Sequence, residues 1–173
     1  MEAEPEFTGV GLDFLERRTV QLGSESYRWL DVKRFHLLVA LSDEEALSAL
    51  LKHERYQDHY ATNEANWAPT GDLHGPYQLA LLGVGAFAHL PPAEARQILR
   101  DWAEEYDGAQ AGGFDDVVQT ASVVLNDEVT VLYLRADRAA IEHSWGWVLG
   151  DFYEFVAINR ASNVLSLVVA SDD

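Results

Sequence analysis

The rhythm of apolar and polar positions changes along the chain, and each change predicts an element. Residues 1–9 show no apolar period and read as a loose leader; residues 10–173 read as one domain. "RTVQL" (18–22) and "VKRFHLLVAL" (32–41) are rich in β-branched and aromatic residues, which predicts strands. Ser42-Asp-Glu-Glu45 then spells a capping box, and Ala46, Leu47, Leu50 and Leu51 recur at helical spacing. That helix is expected to end near Tyr56–Tyr60. Residues 61–76 are punctuated by Asn, Pro and Gly and read as a loop. The run 77–90 is ambiguous. Its length and alanine content favour a buried helix, although its glycines cost about 1 kcal/mol each there.

Pro92 suits the first turn of a second helix, and Ala95, Ile98, Leu99, Trp102 and Tyr106 fall on one of its faces. Residues 107–116 read as a loop. The last third reads as two hairpins: 117–126 with 128–135 around Asn126-Asp127, and 151–160 with 164–171 around Ala161-Ser-Asn163. The final strand is apolar on both faces, so it must be central or covered, since an exposed edge of that kind would aggregate. The expected fold is a single α+β domain. Its mainly antiparallel sheet comes from the C-terminal hairpins, with two or three helices packed on one face.

Inside 77–90, Gly83-Val-Gly85-Ala-Phe-Ala88 outlines a dinucleotide-binding G-x-G-x-x-A. That motif needs a strand before the glycines, a long helix after them, and a strand-end acid on a parallel crossover. Pro91 and Pro92 cut any such helix short, and hairpins follow instead of a crossover. Small residues that allow close packing account for the glycines better. No cofactor is expected.

Composition narrows the function classes. The 173 residues include no cysteine, which excludes thiol catalysis, disulfides and thiolate metal sites and suits a reducing cytoplasm. The N-terminus is acidic, unlike a secretory or mitochondrial signal, and no run is apolar enough to predict a membrane span. Net charge is −17, spread along all thirds of the chain. Such a surface repels phosphate backbones and anionic membranes, so neither nucleic acid nor membrane is an expected partner. It suits solubility, or a basic protein partner.

Catalytic motifs are sparse. There is neither a G-x-S-x-G elbow nor a P-loop. In "HERYQDH" (53–59), His53 and His59 would lie about 120° apart on a helix, the wrong spacing for a metal pair, while Glu54 and Asp58 would share a face. Asp115-Asp116 follow a Gly-Gly loop and read as solvated carboxylates. The densest unusual stretch is "EHSWGWVLGDFYEF" (142–155), with Glu142, His143, Trp145, Trp147, Tyr153 and Glu154 as candidate ligand- or partner-binding residues. Aromatics interleaved with polar groups are typical of pockets and of interface centres. In an extended chain Trp145 and Trp147 would share a side, and Tyr153 would lie opposite Phe152 and Glu154.

Three functions fit this sequence. The first is a protein-interaction module of the immunity or antitoxin kind that binds a basic partner. The second is a small-molecule binder using the 142–155 aromatics. The third is a thiol-independent enzyme with a Glu/His site, against which the missing motifs weigh. A homodimer through the apolar final strand is also open.

Overall fold

A computed structural model describes residues 11–23, 27–60, 72–105 and 112–172; the leader expected over 1–9 lies outside them. The main sheet has six strands: β1 (Leu12–Leu22), β2 (Arg28–Leu37), β5 (Phe87–Leu90), β6 (Thr130–Leu134), β7 (Phe152–Asn159) and β8 (Val164–Asp172). Their spatial order is β1-β2-β8-β7-β6-β5, with every neighbouring pair antiparallel. A two-stranded ribbon, β3 (Leu73–His74) with β4 (Tyr77–Gln78), lies apart from it. The helices are α1 (Asp43–Lys52), α2 (Pro92–Glu104), α3 (Phe114–Val124) and the single turn α4 (Arg138–Ile141).

The sheet is covered on both faces. On one, Leu30 and Val168 meet Leu99 and Trp102 of α2 and Val117 and Ala121 of α3. On the other, Phe35, Ile158 and Leu167 meet Leu47 and Leu50 of α1 together with Tyr56 and Tyr77. The expectation of helices on one face thus describes α2 and α3, while α1 lies across the sheet from them. Two covered faces explain why β8 reads as an unbroken apolar run: it is flanked by β2 and β7, and Leu165–Ala170 are all buried. No apolar edge of β8 is left for a second copy. The edges are β1 and the short β5, and on β1 Glu16, Arg17 and Arg18 and a register shift between Phe14 and Glu16 oppose pairing with another chain.

The hairpin β7–β8 forms where expected, with Asn159 opposite Val164, so that its loop starts one residue earlier, at Arg160. The capping box also forms: Ser42 Oγ accepts from the Glu45 amide at 3.1 Å, and Glu45 returns a carboxylate to the Ser42 amide at 2.7 Å. The helix stops at Lys52, however, before the expected end.

Two further elements differ. Residues 117–126 form most of α3 instead of a strand. β-Branched content is a weak guide, and here a stripe at helical spacing prevails: Phe114, Val117, Thr120 and Ala121 are the buried positions. Asp115 and Asp116 complement the helix dipole at its first turn. Gly113 starts it at φ +85°, and a Cβ there would strike the Gln21 carbonyl oxygen, so glycine lets α3 approach the end of β1. Residues 77–90 are not a helix either. The run divides into 3₁₀ turns at Leu79–Leu81 and Val84–Ala86, with Gly83 between them and Gly85 inside the second, and β5 follows. The G-x-G-x-x-A segment therefore leads into an edge strand with no helix after the glycines.

Candidate functional site

The segment 142–155 is a turn followed by a strand. Arg138 of α4 organises it. Its Nε bonds Glu142 at 2.9 Å, and its Nη atoms donate to the carbonyls of Gly146, Leu149 and Gly150. His143 faces the Gly75 carbonyl with Nε2 at 2.9 Å and the Trp145 amide with Nδ1 at 3.1 Å. A neutral imidazole carrying its proton on Nε2 meets both. Gly146 packs against the Glu142 side chain and the Pro76 carbonyl.

This scaffold turns two indoles outward. Trp145 is 41% exposed and Trp147 67% exposed, with ring centroids 6.3 Å apart. The two therefore lie together, as the sequence reading expected, but on a 3₁₀ turn and not on an extended strand. At the base of the turn, the Asp151 amide donates to Asp172 Oδ1 at 2.8 Å. Partial burial and the neighbouring Asp151 charge push the Asp172 carboxyl above its ordinary value.

Tyr153 and Glu154 point to opposite faces of β7, as the strand period requires. Tyr153 packs beside the core under α2 and α3. Glu154 lies under the other face with 0% exposure, and there it finds a histidine other than His143. Glu154 Oε1 accepts the Tyr56 hydroxyl at 2.7 Å, and Oε2 meets His74 Nε2 at 2.5 Å. His74 is also 0% exposed; its Nδ1 meets the Tyr56 carbonyl, and its ring stacks on the Tyr56 ring at 3.6 Å. A carbonyl can only accept, so Nδ1 carries a proton. One further proton lies between Nε2 and Oε2, and on either atom it leaves the pair without net charge, which keeps its burial affordable. Gly75 sits at φ +51°, where a Cβ would collide with the Phe152 ring, so glycine seats His74 in this pocket. His143 holds the same Gly75 carbonyl and thereby joins the indole turn to the buried triad.

A second polar group lies beside the first on β2. Lys33 is buried and donates to Asp58 Oδ2 at 2.7 Å and to the Arg55 carbonyl at 3.0 Å. Buried Asp31 takes Arg17 at 2.7 Å and the Thr19 hydroxyl at 2.8 Å. Burial raises the Asp58 carboxyl, but the Lys33 ammonium, with help from the Tyr60 amide and Arg17, outweighs it, so the net shift is downward. Burial, reinforced by Asp31 and Asp58, pushes the Tyr60 phenol well above its ordinary value.

The other candidates separate. His53 and Asp58 lie beyond the end of α1; the His53 ring abuts Phe35, and Asp58 is bound to Lys33. Asp115 and Asp116 are exposed. Among the described residues no three His, Asp or Glu side chains assemble as a metal-ligand set. No helix among them is long and apolar enough to cross a membrane.

Sequence reasoning missed Tyr56, His74, Asp31 and Lys33. A signal for two of them exists in β2. Trp29, Asp31, Lys33 and Phe35 share one face, and Leu30 and Val32 mark the other as buried too. A strand buried on both faces must bury its charges as well.

No known protein family profile matches the chain, and no curated protein matches it. Among solved structures the chain is similar to citrus MAF1, at 13% sequence identity over 84% of this chain and 89% of that one, with a TM-score of 0.39. Nothing about this chain is argued from so distant a likeness.

Proposed function

We propose that this protein is an interaction module of the immunity or antitoxin kind that recognises a basic protein through the Trp145–Trp147 turn. The observation that carries the reading is the pair of exposed indoles lying side by side, 6.3 Å between ring centroids. Exposed tryptophans are the residues most enriched among binding hot spots. Here the backbone beneath them is fastened by Arg138 and His143, so little order has to be imposed on binding. The −17 charge supplies the electrostatic half of the argument. The Asp151/Asp172 pair supplies the local half, because two like charges close together are relieved by an incoming Lys or Arg. A cytoplasmic location goes with this reading, as does the absence of cysteine.

The test is a tagged pull-down at low salt with a salt-step elution, run in parallel with the wild type and with Trp145→Ala/Trp147→Ala. The expected result is a basic protein held by the wild type, released by salt and missing from the variant. The same proteins on both baits would refute the reading. So would affinity that stays unchanged between about 50 and 500 mM salt, across which the Debye length falls about threefold.

A further inference from the structure

The face of the sheet that carries α2 and α3 is longer than its cover. Beyond Val32 a row of residues crosses the strands, Glu16 on β1, Arg34 on β2, Ser166 on β8 and Ala157 on β7, exposed at its β1 end and buried toward β7. The end of α3 and the loop after it wall this strip on one side. Together they enclose a groove of about 390 Å³. That volume falls in the range of small-molecule sites, roughly 300–1,000 Å³.

The groove is amphipathic and its two ends differ. Val32, Ala157, Val124 and Val129 supply an apolar floor and wall, and Val123 stands at the mouth, 65% exposed. Arg18 and Arg34 supply cations at the β1–β2 end. Arg34 is held by Glu16 at 2.7 Å. The side chain of Arg18, across from Val32, makes no ion pair or hydrogen bond among the described residues. Asn159 and Ser162 form the opposite rim, where the Asn159 side-chain oxygen is engaged by the Ser162 amide.

The charged lining of the groove is balanced, Arg18 and Arg34 against Glu16 and Asp116, in a chain that is otherwise strongly acidic, and with Arg34 paired to Glu16 the Arg18 guanidinium is left to take a ligand. A planar guanidinium without a partner fits a carboxylate by paired hydrogen bonds.

We infer that the groove between α3 and the open end of the sheet is a binding site for a small amphipathic carboxylate, with Arg18 taking the carboxylate and the valine-lined floor taking the apolar body. It lies on the face of the sheet away from the Glu154–His74 pair and is separate from the indole turn, so its ligand is independent of the basic partner.

The probe is 1-anilinonaphthalene-8-sulfonate, an aromatic anion whose fluorescence rises on entering an apolar site. Octanoate and octylamine serve as competitors of equal chain length and opposite charge. The expected result is saturable binding that octanoate displaces and octylamine does not. Arg18→Gln should weaken probe and octanoate binding about tenfold or more, the loss of one charge-assisted contact. Val123→Glu, at an exposed position, should abolish it. Urea unfolding of both variants should match the wild type, which separates lost binding from lost fold. Absence of saturable binding overturns the proposal. Equal competition by octylamine, or binding that survives Arg18→Gln unchanged, overturns the assignment of a carboxylate.

Discussion

Glu154→Leu should cost the fold about 3–5 kcal/mol, the range for breaking a buried charged pair from one side. The geometry gives that range its terms. Glu154 accepts from Tyr56 at 2.7 Å and meets His74 at 2.5 Å, and neither Glu154 nor His74 touches solvent. With leucine in place, the Tyr56 hydroxyl and the His74 nitrogen lose their partner where water cannot substitute, at about 1–3 kcal/mol for each orphan. Leucine has nearly the volume of glutamate, so the loss reports polarity and not a cavity. In a domain of this size about 2–4 °C of melting temperature goes with each kcal/mol, so Tm should fall by roughly 10 °C. Urea unfolding followed by tryptophan fluorescence measures the difference, and calorimetry checks it. The decisive comparison adds His74→Phe, which keeps a ring against Tyr56. The double variant should recover part of the loss, with a coupling of at least about 1 kcal/mol. A Glu154→Leu protein within about 1 kcal/mol of the wild type would refute the account. So would effects that simply add.

Other consequences can be checked separately. Asp58 is favoured as a carboxylate in the folded state, so its stabilisation is complete above its ordinary pKa and is lost as pH falls through the lower folded value. The stability gap between wild type and Asp58→Asn should therefore be wide near pH 5 and close toward pH 2, as followed by urea melts; a constant gap contradicts the ion pair. Ser42→Ala should cost about 1 kcal/mol through loss of the capping box. Gly113→Ala should cost about 1–3 kcal/mol, because it forces a side chain into positive φ and against the Gln21 carbonyl. Trp145→Ala/Trp147→Ala should change stability by no more than about 0.5 kcal/mol per site while removing partner capture; a large loss would make the indoles part of the core.

Legibility in the sequence followed the strength of local chemistry. The capping box at Ser42, the proline start of α2 and the β7–β8 hairpin each carry a self-contained signal, and each forms as read. The segment 114–124 was misread because its valines suggest strand while its buried positions keep helical spacing, and the face it packs on is set by the sheet. The run 77–90 departs from the expected helix because its apolar content gives no sign that the chain divides at Gly83 into two short turns and a strand. At the site, the clustering of Trp145 with Trp147 and the opposition of Tyr153 to Glu154 follow from short spacing. The partner of Glu154 does not: His74 is 80 residues away, on the β3–β4 ribbon, and no local pattern joins them. The carboxylate groove was equally hidden, since Arg18, Thr120 and Ser166 meet only after β8 enters the sheet.

That entry of β8 has a consequence for how the chain reaches its fold. The N-terminal hairpin β1–β2 touches the rest of the sheet only through β8, because β2 borders β8 and β8 borders β7. During synthesis β2 must wait, its second edge unpaired and its apolar faces open, until residues 164–172 leave the ribosome. Contacts that close so late and over such a span make folding slow and leave the early hairpin prone to wrong pairing. The charges on β1 then protect the nascent chain for as long as its last strand is missing.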